Sequence, residues 1–206
     1  ASVDAAQCYD RMVHSFVSLM CQSLGMPKAT IIAMLATIQD MQFHLRTAYG
    51  DSNAHYGGKQ RIPFQGTCQG NGAGPAIWLV VVSGILQHME TEGHGLDFQA
   101  ALTKAATKII AFCYVDDTTL VVAARNHNED ILDMLARLQK AINCWSGGLT
   151  TTGGALKPIK CFWSIYYFIW KDGEPEYATI ADEPELQLTI PGDDGPPIVI
   201  ERIDVH

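Results

Sequence analysis

Phe112-Cys113-Tyr114-Val115-Asp116-Asp117-Thr118-Thr119-Leu120-Val121-Val122 is the stretch on which the fold turns. Apolar residues run from Ile109 to Val115, two adjacent aspartates interrupt them, and β-favouring residues resume at Thr118. Runs of this length, rich in β-branched and aromatic side chains, predict two strands joined by a tight turn. The turn puts Asp116 and Asp117 at its tip. Two carboxylates ionised in one small volume repel each other, and a divalent cation removes that penalty. Hard oxygen ligands suit Mg²⁺ or Mn²⁺. Aspartate is also common in ordinary turns, so these eleven residues leave a plain hairpin and a metal site both open.

Outward from this stretch the chain predicts alternating helices and strands. Ser2-Val3 reads as a strand end leading to Asp4. Asp10–Leu24 carries apolar residues at helical spacing, with Asp10 as its cap and Gly25 as its stop. Pro27 opens a helix to about Ile38. Residues 41–49 alternate as a strand, and Gly50–Gln60 reads as a polar loop that Gly57-Gly58 would turn into a hairpin. The segment Gly66–Pro75 holds four glycines before an apolar helix, Ala76 to about Glu90. Its spacing fits neither a Walker A sequence nor a strict G-x-G-x-x-G. Its promise is free amides and tolerance of positive φ before a helix N-terminus, suited to a phosphate. Asn128–Trp145 is amphipathic and helical, and Ser146-Gly147-Gly148 should end it. Cys161–Trp170 reads as one aromatic strand.

Composition limits the alternatives. The chain has 206 residues, 48% hydrophobic, enough for one packed domain with an appendage. Its longest apolar run, Ala76–Leu86, is too short to span a bilayer, and no signal peptide is visible. Six cysteines without a Cys-x-x-Cys read as reduced core thiols of an intracellular protein, cytoplasmic or nuclear. Residues 1–170 carry 12 acidic and 12 basic side chains, whereas 171–206 carry 10 and 2, so the tail holds the whole net charge of −8. The division expected is a body, 1–170, and an acidic, proline-bearing extension, 171–206, irregular or forming an edge strand. The neutral body lacks the basic excess of a self-sufficient nucleic-acid binder. A start at Ala1 without Met suggests a fragment.

A carboxylate at one strand end, Asp4, beside two from a neighbouring hairpin is what two-metal phosphoryl transfer requires. Four segments in order then resemble the palm of a reverse transcriptase of the retrotransposon kind. Asp4-Ala5-Ala6-Gln7-Cys8-Tyr9-Asp10 resembles the family's D-A-x-x-(A/C)-(F/Y)-D. Gln69–Pro75 resembles Q-G-x-x-x-S-P, with Gly74 standing where the family usually has Ser. Tyr114-Val115-Asp116-Asp117 matches the (F/Y)-x-D-D box, and Gly148-Leu149 through Lys160-Cys161 resembles the fourth motif. The resemblance covers about residues 2–170.

What it implies is an α+β fold: an antiparallel, ferredoxin-like palm sheet backed by helices, with fingers and thumb largely absent from this chain. It implies RNA-directed DNA polymerase activity with two Mg²⁺ or Mn²⁺ ions, dNTP as substrate, an RNA template and a DNA primer, no membrane, and fingers and thumb segments supplied by the same polyprotein. Asp4 and Asp116 would bridge the metals with Asp117 as accessory. Tyr9 would pack under the sugar, and Gln69 and Gly70 would contact nucleotide and template. Lys160 would protonate the leaving pyrophosphate, with Lys157 as competitor. Set against this are a decayed or repurposed palm without activity and a nucleotide cyclase-like palm, which the glycine loop and the Tyr-x-Asp-Asp box disfavour.

Overall fold

In chain order the secondary structure comprises β1 (Ser2–Asp4), α1 (Cys8–Arg11), α2 (His14–Ser23), α3 (Lys28–Gln39), β2 (Gln42–Thr47), β3 (Gly50–Gly57) and α4 (Gly74–Thr91). There follow β4 (Leu96–Gln99), β5 (Ala106–Ile109), β6 (Ala111–Tyr114), β7 (Asp117–Leu120), α5 (Ile131–Thr151) and a 3₁₀ turn (Pro158–Lys160). The chain ends with β8 (Phe162–Trp163), β9 (Phe168–Lys171), β10 (Glu174–Tyr177), β11 (Thr189–Ile190), β12 (Ile198–Val199) and β13 (Glu201–Arg202). This computed structural model describes residues 1–58, 65–68, 70–192 and 195–204. The class is α+β. Two compact units emerge, Ala1–Ala6 with Ile85–His206, and Gln7–Gly84.

The first unit is built on a five-stranded sheet in the order β13-β8-β1-β7-β6. Strand β1 lies in the middle, antiparallel to both β7 and β8. Strand β6 continues the sheet antiparallel to β7, while β13 joins β8 in parallel. The hairpin expected around the paired aspartates is β6–β7, but its turn is Val115-Asp116, and Asp117 is the first residue of β7. Along β7 the side chains alternate: Thr118 and Leu120 are buried, Asp117 and Thr119 exposed, the period of two a half-covered sheet demands. Helix α5 packs on β7 and β11 and buries Leu135, Leu138, Ile142, Trp145 and Leu149, spaced along one helical stripe.

Helix α5 differs from expectation at its end. It runs through Ser146-Gly147-Gly148 to Thr151. A Cβ on Gly148 would lie 2.6 Å from Ile85 Cγ2 on α4, so this glycine permits close helix packing and does not stop the helix. The stop is Gly153, with φ 89°, together with Gly154 donating its N–H to Leu149 O at 2.8 Å, a left-handed glycine cap.

The expected aromatic strand 161–170 is broken in two. Strand β8 pairs with β1 at Ser2 and with β13, whereas β9 pairs with β10. That hairpin turns on Asp172-Gly173, both at positive φ (53° and 87°), which the Asp-Gly sequence favours. The tail contributes the edge strand β13 and buries Leu186, Leu188, Ile190 and Ile200.

In the second unit α2 packs on α3 beside the hairpin β2–β3. Gly50–Gly57, expected as a loop, is a strand. Its exposed polar side chains hide it from any apolar alternation, yet its backbone pairs Gln42↔Gly57 through Thr47↔Gly50. Phe43 stacks on Tyr56 with ring centroids 5.2 Å apart, and Arg46 grips Asp51 in a bidentate pair at 2.7 and 3.0 Å. Asp10 does not cap the long helix, because the chain breaks after Arg11. Val13 precedes α2 and no side chain caps it. Of the cysteines, Cys8, Cys21 and Cys161 are buried, but Cys113 is exposed. Among the described residues no helix is long and apolar enough to cross a membrane.

Candidate active site

Asp4 closes β1 directly opposite Asp117, the first residue of β7. Residues paired across an antiparallel ladder project to the same sheet face, so two carboxylates share that face. The turn between the strands is Val115-Asp116, and Val115 takes φ 57°. A β-branched residue in that region is strained, at a cost on the order of 1–3 kcal/mol. The neighbouring chain holds the turn in place, since Ala5 N–H donates to Asp116 O at 3.3 Å.

Asp4 is 6% exposed. Its backbone carbonyl accepts from Lys157 N–H at 2.9 Å, and Lys160 Nζ donates to its Oδ2 at 3.1 Å. The lysine is half-exposed. Its pKa is raised first by the hydrogen bond to Asp4, then by that carboxylate's charge, with smaller contributions from Asp116 and Asp117. Lys160 thus senses all three carboxylates. Of the two lysine candidates it is the one whose ammonium reaches Asp4; Lys157 contributes its backbone.

The donor chemistry fits a hard divalent cation, since carboxylate oxygens are what Mg²⁺ and Mn²⁺ take. Among the described residues, however, no group of three or more His, Cys, Asp or Glu side chains is arranged to hold a metal ion. The Lys160 ammonium, 3.1 Å from Asp4 Oδ2, offsets the repulsion expected between Asp4 and Asp117.

The glycine loop belongs to the second unit, and its backbone is tied down. Gly66 N–H donates to Met12 O at 2.8 Å, and Thr67 N–H donates to Tyr9 O at 2.7 Å. A Cβ on Gly66, which has φ 84°, would fall 2.5 Å from Asp10 O, so only glycine fits that approach. Several of the amides expected to be free are engaged. Asn71 N–H donates to Cys68 O, Gly74 N–H donates to Asn71 O, and Ala73 N–H donates to Asn71 Oδ1. Asn71 thereby satisfies the start of α4 itself. Gly70, with φ 89°, is exposed with open space above it. Tyr9 is half-buried, and its ring lies about 3.5 Å from where a Cβ on Gly74 would stand. Gln69 lies outside the described residues.

Sequence reading missed His14, which showed no ligand spacing. It is 3% exposed. Its Nε2–H donates to Gly66 O at 2.6 Å, its Nδ1 accepts from Gln39 Nε2 at 2.9 Å, and its backbone N–H meets Gln65 Oε1 at 2.7 Å. It fixes the start of the loop. The only signal in the sequence is a polar residue on the otherwise apolar face of a helix.

Compared with known proteins, the family model described as reverse transcriptase (RNA-dependent DNA polymerase) matches residues 1–166. No curated protein matches the chain.

Proposed function

Because the chain belongs to the reverse transcriptase family, we propose that it is the palm of an RNA-directed DNA polymerase from a retrotransposon-type element, joining dNTPs to a primer 3′-hydroxyl. The observation that carries this reading is the Asp4↔Asp117 pairing beside the Asp116 turn. It supports a carboxylate centre assembled from segments more than a hundred positions apart. The central sheet with α5 behind it supports a ferredoxin-like palm.

Asp4, Asp116 and Asp117 would hold two Mg²⁺ or Mn²⁺ ions. Bound there, such ions supply activation of a hydroxyl nucleophile and neutralisation of phosphate charge. Lys160 releases Asp4 and turns its ammonium to the leaving pyrophosphate, where it can donate a proton. Tyr9 bars a ribonucleotide's 2′-hydroxyl, and Gln69 and Gly70 contact nucleotide and template. The 206-residue chain alone would hold primer and template weakly, because its first 170 residues carry 12 basic and 12 acidic side chains and so lack the overall basic excess of a nucleic-acid binder.

Manganese relaxation titration of the chain tests the centre. The expected result is weak binding that Asp116→Asn abolishes; equal binding by both proteins sinks the metal assignment.

A further inference from the structure

A pocket of about 240 Å³ opens in the first unit, lined among others by Glu92, His94, Val122, Arg125, Arg137 and Lys140. Its lining is basic in a chain of net charge −8. It is separate from the carboxylate centre. Val122 lies five residues beyond Asp117, on the order of 15 Å along an extended chain, at the opposite end of β7 from the aspartate turn.

The pocket is organised by Glu129. Arg137, on α5, donates from Nε and Nη2 to the two Glu129 oxygens at 2.9 Å each, and from Nη2 to Ala123 O at 2.7 Å. Both side chains are largely buried. The same carboxylate accepts Arg125 N–H, which fixes where the Arg125 side chain starts. Glu129 is held well below the usual carboxylate range, by that backbone hydrogen bond first and by Arg137, so it remains charged and keeps the arrangement. Arg137 is thereby a neutralised wall. Among the described residues the Arg125 and Lys140 side chains have no ion-pair partner, and both are exposed at the rim. Half-buried His94 is held below the usual imidazole range, by burial first; Glu92 acts against this and Lys140 adds to it. Counting Arg125, Arg137 and Lys140 against Glu92 and Glu129 leaves 3 − 2 = +1, before any protonation of His94.

We propose that this pocket binds a phosphate group, received by Arg125 and Lys140 at the rim. Guanidinium and ammonium groups left unpaired in a concave site favour a compact, multiply charged oxyanion, and the volume of about 240 Å³ admits a phosphate or pyrophosphate. The shared chemistry has two sources, a free phosphate or pyrophosphate and the backbone of a nucleic acid.

The test uses the 206-residue chain at low ionic strength, where screening is least, and without divalent cations. Under these conditions the carboxylate centre repels anions, so a failure of this site is distinguishable from a failure of the polymerase reading. Inorganic pyrophosphate is titrated by calorimetry, and a labelled single-stranded oligonucleotide by fluorescence anisotropy. The variants are Arg125→Gln with Lys140→Gln, and Lys140→Gln alone, which sits on an exposed helical position and keeps the test valid if the Arg125 loop is disturbed. We expect saturable binding weakened about tenfold or more in the double variant, since each lost charge-assisted contact is a substantial part of such an affinity. Loss for pyrophosphate alone assigns a free phosphate. Loss for the oligonucleotide, with or without pyrophosphate, assigns a nucleic-acid backbone. Absence of saturable binding to either, or equal binding by wild type and both variants, overturns the proposal.

Discussion

Asp4 and Asp117 stand directly opposite each other on adjacent antiparallel strands, and Lys160 Nζ, 3.1 Å from Asp4 Oδ2, is the cation that makes this tolerable. Like charges directly opposite in a ladder are destabilising. Removing one of them should therefore stabilise the fold while damaging the centre.

Asp117→Asn is expected to raise unfolding free energy by ~0.2–1 kcal/mol without metal, the lower end being appropriate to an exposed side chain. Stabilisation by added Mn²⁺ should shrink in the same variant. Urea denaturation with and without Mn²⁺ reads both. A variant less stable than wild type in the absence of metal would show that the two carboxylates do not repel.

The two glycines inside α5 should respond oppositely. Gly147 is exposed with open space around it, so Gly147→Ala should gain roughly 0.5–1 kcal/mol from helix propensity. Gly148→Ala drives a methyl into Ile85 and should lose about 1–2 kcal/mol net, overpacking outweighing the same propensity gain. Equal shifts in the two variants would mean that the helices are not in contact at Gly148.

Gly74 is not enforced by crowding. A Cβ there would be 3.4 Å from Thr67 Oγ1 and 3.5 Å from Tyr9 Cδ1, ordinary contact. Gly74→Ser, at the first residue of α4, should raise stability by about 0.5 kcal/mol. A loss larger than about 1 kcal/mol on thermal unfolding would indicate a tighter site around Thr67 and Tyr9.

His14→Leu should destabilise the second unit by ~1–3 kcal/mol, because buried Gly66 O and the half-buried Gln39 amide would lose their partner. Hydrogen exchange at Gly66 and Thr67 should quicken most. Exchange unchanged at both amides would remove His14 from the support of the loop.

Acid should act on the tail through Asp182, whose carboxyl is lowered to about 2 from the usual 3.8, first by Lys171 and then by Thr179. Lys171 Nζ lies 2.8 Å from Oδ1, and Thr179 N–H and O–H each lie 2.8 Å from Oδ2. A depressed carboxylate pKa stabilises the fold above the unfolded value and is lost as pH falls through the folded one. Wild type should therefore exceed Asp182→Asn in melting temperature at pH 5–7, and the gap should close between about pH 4 and pH 2. A gap that persists at pH 2 would contradict the ionic origin.

The sequence by itself determined what depends on neighbours along the chain. The β6–β7 hairpin follows from apolar runs flanking Asp116-Asp117, α5 from its apolar stripe, and the family from four short motifs in order. Tertiary structure decided whatever depends on partners far away in sequence. Gly148 extends a helix that glycines would end because Ile85 approaches it; polar Gly50–Gly57 is a strand because β2 supplies its hydrogen bonds. The aromatic run after Cys161 divides because its first part pairs with β1 and β13 and its second with β10. Lys160, and not Lys157, reaches Asp4 because the 3₁₀ turn from Pro158 separates the two and sends one ammonium to the carboxylate, while the other residue spends its backbone N–H on Asp4 O. Spacing along a chain fixes local conformation. Which charge meets which is fixed only when strands from opposite ends of the sequence are laid side by side.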